Sequence, residues 1–210
     1  MVIKVIRIGL LITTAHFILG SSCTKNNSRP CRTGYSFNAT SIWNPETETY
    51  TVGDTIILSS EISKTLNDLI IPSLVINYSN AIAIGGGIGI GYLDTITRTA
   101  FPGRQYFDLV TVIGSLGETS VAPDQGPAFI YKETFDKYEL KVGLICKQKG
   151  IYGFSISDLK SPGIRGKNCT NAGFNMTVTN SDKHILLYQY ALGFLPDADG
   201  LKRIYSFRVQ

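Results

Sequence analysis

Alternation of apolar and polar residues recurs in short runs along most of this chain. In the clearest run, Tyr138, Leu140, Val142 and Leu144 occupy every second position. Successive side chains of a β-strand point to opposite faces, so this pattern predicts antiparallel strands with one buried face and one face in water. The sequence "KQKG" that follows contains glycine and predicts a hairpin turn to the next strand.

Similar runs predict further strands, and turn residues such as Pro, Gly and Asn separate them. These strands cover residues 35–43, 50–60, 73–79, 105–114, 172–180 and 203–210. Residues 117–127 have the composition of a loop, and residues 182–195 fit either a strand or a short helix, with a slight preference for the helix. Many short strands at regular spacing predict a mainly β fold, namely one antiparallel, sandwich-like domain with at most one short helix.

The stretch "AIAIGGGIGIGYLD" (81–94) gathers five glycines within seven residues. Ile88 and Ile90 share one parity and Gly89 and Gly91 the other, so we expect a strand with one apolar face and one face of nearly bare backbone. The spacing matches neither a phosphate-binding loop nor a dinucleotide fingerprint. The main interpretation is structural, because a smooth face lets another segment approach closely. The alternative is a shallow floor for a ligand.

The first 22 residues have the three parts of a secretory signal peptide. Lys4 and Arg7 supply positive charge, an apolar run of 13 residues follows, and small residues precede Cys23. A bilayer span needs about 20 apolar residues, so this run is too short to remain as an anchor by itself. We therefore expect a signal peptide over residues 1–22, a flexible polar tether over 23–32 and a single β-rich domain over 33–210.

Composition places the chain among ordinary globular proteins. It has 210 residues, of which 43% are apolar and 17% charged, and a chain of this length buries roughly 70% of its unfolded surface when it folds. Its formal charge is +4 at pH 7, but removal of Lys4 and Arg7 leaves 18 basic residues against 16 acidic ones. This balance argues against nucleic acid as a partner, because nucleic-acid-binding domains carry a basic excess.

The residues around Cys23 resemble a known export signal. "ILGSSCTKNN" is similar to the lipobox of bacterial lipoproteins in the relaxed form found in Bacteroidota, although Gly20 stands where leucine is usual. In that family the matching cysteine becomes the first mature residue and receives acyl chains such as palmitate on its sulfur and amine. The resemblance implies an anchor at Cys23 in the outer membrane, on its periplasmic or surface face. The alternative is an ordinary signal-peptidase site, which would release a free secreted protein.

Five further motifs resemble a set of uncharacterised Bacteroidota lipoproteins. They are "TVGDTIILSS", "INYSNA", "KQKGIYGFSI", "KNCTNAGFNM" and "IYSFRV". Together they are spread over most of residues 31–210. This resemblance implies an envelope location and a β-rich fold, and it brings no known activity, ligand or catalytic residue.

Two short motifs, Asp54-Thr55-Ile56 and Asp94-Thr95-Ile96, resemble the acceptor of O-linked glycans on exported Bacteroidota proteins. The resemblance makes Thr55 and Thr95 candidate O-glycan sites. The structural alternative is a pair of turns that enter strands.

The four cysteines are Cys23, Cys31, Cys146 and Cys169. Export permits disulfides, so with Cys23 acylated we expect one bridge between Cys146 and Cys169 and a buried thiol at Cys31. If Cys23 is not acylated, a bridge between Cys23 and Cys31 becomes natural. The chain has no C-x-x-C motif, so it predicts neither a zinc knuckle nor a thioredoxin-like site.

Signals for catalysis are sparse. After removal of the signal peptide, His184 is the remaining histidine, which excludes a multi-histidine metal site, and no G-x-S-x-G motif accompanies it. The segment "DADG" (197–200) lacks the further carboxylates of a calcium loop. We therefore expect no enzymatic activity, no cofactor and no metal, and a structural, hydrogen-bonded role for His184.

These features favour a lipid-anchored cell-envelope protein with a non-catalytic binding or structural role, whose partner is a glycan or another envelope protein. One alternative is a carbohydrate-binding module, in which Trp43 and the tyrosines would stack on sugar rings. Another is a subunit of a surface fibre, which would present an exposed sheet edge or donate a strand.

Overall fold

The computed structural model describes residues 34–117, 128–181 and 183–210. Within these residues the chain forms eighteen strands, two α-helices and one 3₁₀ turn. The strands are β1 (Tyr35–Asn44), β2 (Thr49–Tyr50), β3 (Thr55–Ser63), β4 (Thr65–Asn67), β5 (Val75–Asn77), β6 (Ala81–Ile82), β7 (Gly85–Asp94), β8 (Thr99–Pro102), β9 (Phe107–Ile113), β10 (Ser115–Gly117), β11 (Ala128–Ile130), β12 (Lys132–Glu133), β13 (Lys137–Cys146), β14 (Gly150–Ile156), β15 (Leu159–Ser161), β16 (Gly163–Ile164), β17 (Ala172–Val178) and β18 (Ile204–Val209). The helices are α1 (Ile185–Leu192) and α2 (Ala198–Leu201), and the 3₁₀ turn is Arg104–Tyr106.

The predicted mainly β class is confirmed. Helix α1 forms within residues 182–195, where the pattern favoured a helix, and α2 is a second, very short helix that the pattern did not predict. Most strand pairs are antiparallel, but β1 pairs with β17 and β18 pairs with β2 in parallel.

Most strands lie along one hydrogen-bonded path that folds into two layers. The order is β12-β13-β3-β1-β17-β15-β7-β14-β18-β2, and one residue pair, Lys160 with Gly85, joins β15 to β7. The ring of Trp43 on β1 lies 4.8 Å from that of Phe154 on β14, centroid to centroid. Side chains from the two halves of the path therefore meet across one core, which is the arrangement of a β-sandwich.

Aromatic side chains dominate the core between the layers. Trp43, Tyr152, Phe154, Tyr205 and Phe207 are fully buried. Phe154 and Phe207 meet edge to face with their centroids 4.6 Å apart, a geometry that aromatic pairs prefer. Burial of such large rings supplies most of the hydrophobic stabilisation in a core of this kind.

The alternating run from Tyr138 to Leu144 lies in β13, and its apolar positions are buried as predicted. The predicted hairpin at "KQKG" is wrong. β13 pairs with β3, β9 and β12, whereas β14 pairs with β7 and β18, so residues 147–149 carry the chain between layers. Both strands turn their apolar faces to one core, and alternation alone does not distinguish a layer crossing from a hairpin.

The glycine-rich stretch forms β7, and its two faces are as predicted. Ile88 and Ile90 point into the core and are 1% and 5% exposed, while Gly89 and Gly91 lie on the outer face. The alternation does not extend back to Ile82, which is 40% exposed. Ala83, which directly follows Ile82, has a φ of 45°. This left-handed conformation separates β6 from β7.

Helix α1 covers one part of the outer face of β7 and β14. Leu187, Ala191 and Leu192 pack there against Leu93 and Ile151 in a small cluster apart from the main core. The helix ends at Gly193, whose φ of 82° suits the left-handed position after a helix. In the part of the chain that the structure describes, no helix is long and apolar enough to cross a bilayer.

Candidate functional site

A groove of about 430 Å³ lies on the outer face of β7 and β14, beside the part that α1 covers. Its floor contains Gly89, Gly91 and Gly153, and the register pairs Gly91 directly with Gly153. Paired residues of an antiparallel sheet share a face, so two neighbouring strands present bare backbone at the same place. The volume falls in the range of small-molecule sites.

Apolar side chains line both sides of the groove. Ala100 and Pro102 of β8 lie on one side, and Tyr188 of α1 and Ile204 of β18 lie on the other. Ser155, which pairs with Gly89, adds a hydroxyl group. Tyr188 contributes a phenol, whose pKa is raised by burial and which can donate a hydrogen bond. The groove thus offers a largely apolar surface with two hydroxyl groups.

Packing does not require glycine at two of the floor positions. A Cβ at Gly91 would lie 3.6 Å from its nearest neighbour and a Cβ at Gly153 3.7 Å, which are ordinary contacts, and neither residue has a positive φ. On the inward face of β7, by contrast, a Cβ at Gly86 would lie 2.8 Å from Cδ2 of Leu159. The structural interpretation of the glycines therefore holds at Gly86, whereas at Gly91 and Gly153 the open floor favours the ligand alternative.

His184 lies at the N-terminus of α1, away from the groove lining. Its ring packs edge to face against Tyr205 with centroids 5.6 Å apart, and its Nδ1 lies 3.9 Å from Oε2 of Glu48. Within the described ranges its buried Nε2 has no hydrogen-bond partner. The packing agrees with a structural role. The hydrogen bond that we expected at this ring is not formed with any residue that the structure describes, since 3.9 Å is too long for one.

Residues 34–117, 128–181 and 183–210 contain no group of three His, Cys, Asp or Glu side chains that could hold a metal ion. In "DADG", Oδ1 of Asp197 accepts a hydrogen bond from the amide of Gly200 at 2.7 Å. This side chain therefore caps the N-terminus of α2, where a free backbone amide needs an acceptor.

Trp43, which sequence reasoning offered as a stacking platform for sugars, is fully buried. It packs against Phe154 and Tyr205 with centroid distances of 4.8 and 6.2 Å. A role for Trp43 in ligand stacking is therefore wrong. The exposed aromatic side chain that lines the groove is instead Phe101 of β8, which is 45% exposed, and Tyr188 of α1 lines it as well.

The predicted disulfide between Cys146 and Cys169 is wrong. Cys146 ends β13 with a free, buried thiol, and burial raises the pKa of this thiol to about 11. Cys169 is disulfide-bonded and lies in the exposed turn before β17. The alternation of β13 points the Cys146 side chain into the core, away from a surface turn. Cys23 and Cys31 lie outside the described residues, so lipidation at Cys23 stays a prediction. Because Cys146 is free and Cys169 is bonded, the expected thiol at Cys31 is not compatible with an acylated Cys23 within one chain.

Thr55 and Thr95, the candidate O-glycan sites, are both exposed. Thr55 begins β3 and Thr95 follows the end of β7. The preceding aspartates shape the two turns: Oδ2 of Asp54 accepts a hydrogen bond from the Thr51 amide, three residues earlier, at 2.7 Å. Oδ1 of Asp94 accepts one from the Ile96 amide, two residues later, at 2.8 Å. These hydrogen bonds lower the pKa of both carboxyl groups. Exposure is a condition for modification, and O-glycosylation stays a prediction.

No protein-family model and no curated protein matches this chain. Among solved structures, it is similar to the cohesin module from a Clostridium perfringens family 33 glycoside hydrolase, with a TM-score of 0.34 and 10% identity over 67% of this chain and 98% of the other. It is also similar to the second type II cohesin module from the cellulosomal adaptor ScaA scaffoldin of Acetivibrio cellulolyticus, with a TM-score of 0.26 and 13% identity over 58% of this chain and 76% of the other. The β-sandwich is shown by the strand pairing and by the side-chain contacts between its two layers.

Proposed function

We propose that this protein is a non-catalytic binding protein of the cell envelope, held at the outer membrane by acyl chains on Cys23. Its binding site is the groove on the outer face of β7 and β14. The lipobox-like sequence before Cys23 supports the anchor, and the open floor of the groove supports the binding role.

The observation that carries the binding role is the pair of opposed glycines, Gly91 and Gly153. Neither is needed for a turn or for a close contact, yet together they keep the floor of the groove free of side chains. Glycine within a strand interior weakens the strand, so its presence on two paired strands needs a compensating reason. Room for a ligand that lies flat on the sheet provides one.

The lining favours a compact ligand with one apolar face and a few polar groups. Ala100, Pro102 and Ile204 offer apolar contact, while Tyr188 and Ser155 offer hydroxyl groups. No charged side chain is among the described residues that line the groove. A sugar ring of an envelope glycan has this combination of an apolar face and hydroxyl groups, so a carbohydrate is the ligand class that we assign.

A matched pair of glycine substitutions tests this assignment. Gly91→Val fills the floor, whereas Gly173→Val places the same side chain on the exposed face of β17, where a Cβ would meet nothing within 4 Å. Binding to peptidoglycan fragments and to envelope polysaccharide repeats would be measured by calorimetry. We expect Gly91→Val to lose about tenfold or more in affinity, because the substituted floor no longer admits the ring, and Gly173→Val to match the wild type. Equal affinities of the three proteins, or no binding by the wild type, would reject the groove as a glycan site.

The anchor is tested separately by metabolic labelling with a clickable fatty acid. The wild type should incorporate the label and Cys23→Ala should not, because the sulfur of Cys23 receives the first acyl chain in the proposed processing. Equal labelling of the two proteins would reject the anchor without bearing on the groove.

A surface-fibre subunit is the second candidate function, and β9 is the observation that favours it. Among the strands that the structure describes, β9 has β13 as its one neighbour, and Val110 and Val112 on it are 43% and 54% exposed. An exposed edge strand is a template for pairing with another chain. Light scattering of concentrated protein tests this function: self-association that Val112→Lys abolishes would support it, and a monomer at all concentrations would exclude it.

A further inference from the structure

We propose that residues 69–75, here called the apolar tip, insert into the interfacial region of the bilayer and so orient the body of the protein on the membrane. The proposal rests on the lipid anchor of the proposed function. It adds a second membrane contact, made by the folded domain itself.

The apolar tip follows β4 and ends at Val75, the first residue of β5, and all seven of its residues are exposed. Five of them carry large apolar side chains, and none is charged. Their exposed fractions are 40% for Leu69, 64% for Ile70, 50% for Ile71, 36% for Leu74 and 58% for Val75. Single exposed apolar residues are normal on a soluble surface, but a contiguous set of this kind marks an interaction surface.

Hydrogen bonds hold the tip in its exposed position. Asp68 is only 4% exposed, and its Oδ1 accepts from the amide of Ser36 at 3.0 Å while its Oδ2 accepts from the amide of Ile71 at 3.3 Å. The amide of Leu69 donates to the carbonyl of Ser36 at 2.8 Å. Because the backbone is fixed in this way, the apolar side chains are presented outward and do not fold back onto the sheet.

These bonds also place the tip next to the start of β1, which is the point where the proposed tether enters the domain. The residues between Cys23 and Tyr35 can span at most about 40 Å even when fully extended. With Cys23 anchored, the first residues of β1 therefore stay within that distance of the bilayer. The tip is fastened to the second residue of this strand, so it lies beside the end of the domain that the tether keeps within reach of the membrane.

A basic turn lies at the same end of the domain. The amide of Tyr35 donates to the carbonyl of Asn171 at 2.8 Å, which joins the start of β1 to the turn before β17. Arg165 and Lys167 are exposed in the loop that joins β16 to β17, and residues 165–171 of this loop include no acidic residue. Glu133 lies near the start of the loop, because its Oε1 accepts from the amide of Asn80 and the carbonyl of Asn80 accepts from the amide of Arg165. Exposed apolar side chains beside basic ones are typical of surfaces that bind the headgroup region of anionic membranes.

The test uses the full, lipidated chain reconstituted into vesicles of phosphatidylethanolamine and phosphatidylglycerol. An environment-sensitive fluorophore is attached to Ile70→Cys or, as a matched control, to Ile96→Cys. Ile96 is 90% exposed at the tip of the β7–β8 hairpin. The native thiol of Cys146 is buried and should not react. Flotation of the vesicles shows whether the anchor is intact in each protein.

We expect lipids with a shallow spin-label quencher to quench the fluorophore at position 70 roughly twofold or more over that at position 96, since interfacial segments insert about 5–10 Å. Adding Ile71→Asp to Ile70→Cys should bring the quenching at position 70 down to that at position 96. Equal, weak quenching at both positions in protein that floats would reject insertion of the apolar tip and leave the proposed anchor unaffected. Protein that does not float would show that the anchor fails, and the tip proposal with it. A label at position 70 that is protected in envelope fractions but not in pure vesicles would assign the tip to a protein partner and overturn the proposal.

Discussion

The groove and the apolar tip are both apolar regions of the surface, but they arise in opposite ways. The tip is convex and carries large side chains that point outward from a turn. The groove is concave, and it is apolar because Gly91 and Gly153 omit the side chains that would otherwise cover their neighbours. In both regions the backbone is held by hydrogen bonds, so the apolar surface persists in water.

This difference suggests different partners for the two regions. A convex apolar turn suits a soft surface such as a bilayer, while a concave site with a fixed floor suits a ligand of defined shape. Both regions differ from the aromatic core, where the side chains are buried and stabilise the fold. Substitutions in the tip or on the groove floor should therefore alter binding and leave the fold intact. Substitutions in the core should instead lower the free energy of unfolding.

The largest expected effect comes from the core. Phe154→Ala removes a fully buried ring that contacts Trp43, Phe107 and Phe207, and it should lower the free energy of unfolding by about 3–5 kcal/mol. Ile70→Ala, in the tip, should change it by no more than about 0.5 kcal/mol. Urea denaturation of the two variants measures both values. A comparable loss in Ile70→Ala would mean that the tip contributes to packing and is not a free surface.

The support of the tip should have an intermediate effect. Asp68→Ala leaves the amides of Ser36 and Ile71 without their acceptor and should cost about 1–3 kcal/mol of unfolding free energy, since bonds to a carboxylate are stronger than neutral ones. Asn67→Ala, at an exposed neighbouring position, serves as the control. If the two variants are equally stable, the hydrogen bonds at Asp68 do not hold the tip.

The two faces of β7 provide a finer comparison. In Gly86→Ala the new methyl group would meet Leu159, which is fully buried and has little room to move, so we expect a loss of about 1–3 kcal/mol. Gly91→Ala adds the same group over the groove floor, where contacts are ordinary, and should be within about 0.5 kcal/mol of the wild type. Similar losses in both would indicate that the groove is closed in solution.

The smallest effect concerns the thiol of Cys146. Because burial raises its pKa to about 11, from 9.0 for an ordinary thiol, the group stays protonated in the folded protein as the pH rises towards 11. The thiol of the unfolded chain ionises at a lower pH than that of the folded protein. This thiol therefore contributes stability that is lost as the pH rises from about 9 to 11. At pH 8 iodoacetamide should label Cys146 only after denaturation. Rapid labelling of the native protein would contradict the buried position.

Much of this fold could be predicted from alternation. The buried face of β13 and the two parities of β7 both follow from the period of a strand, and a short helix forms in the segment that favoured one. Alternation could not show which strands pair with one another. A run such as that of β13 has the same pattern in a hairpin and in a layer crossing, which is why the "KQKG" turn was misread.

The apolar tip and the cysteine pairing were missed for related reasons. The segment "LIIPSLV" has the composition of a buried strand, and only the hydrogen bonds of Asp68 show that it is held on the surface. Spacing along the chain favoured Cys146 as the partner of Cys169, but the facing direction of the last residue of β13 decides against it. The alternation of glycines in β7 allowed a ligand floor to be proposed from the sequence as an alternative. Gly153, which completes this floor from β14, has no such pattern around it.

The central claim, a β-sandwich tethered to a membrane at Cys23, is tested most directly by mass spectrometry of mature protein purified from membranes. Cys169 is disulfide-bonded and Cys146 is free, so within one chain the partner of Cys169 is either Cys31 or Cys23. Tyr35 pairs with Ala172 on the neighbouring parallel strands β1 and β17. Cys31 and Cys169 stand four and three positions before these two residues in the sequence, which favours Cys31. We predict an acylated N-terminal Cys23 and a disulfide-linked peptide pair containing Cys31 and Cys169. A disulfide between Cys23 and Cys169 would contradict the account, because a sulfur in that bond cannot also carry an acyl anchor.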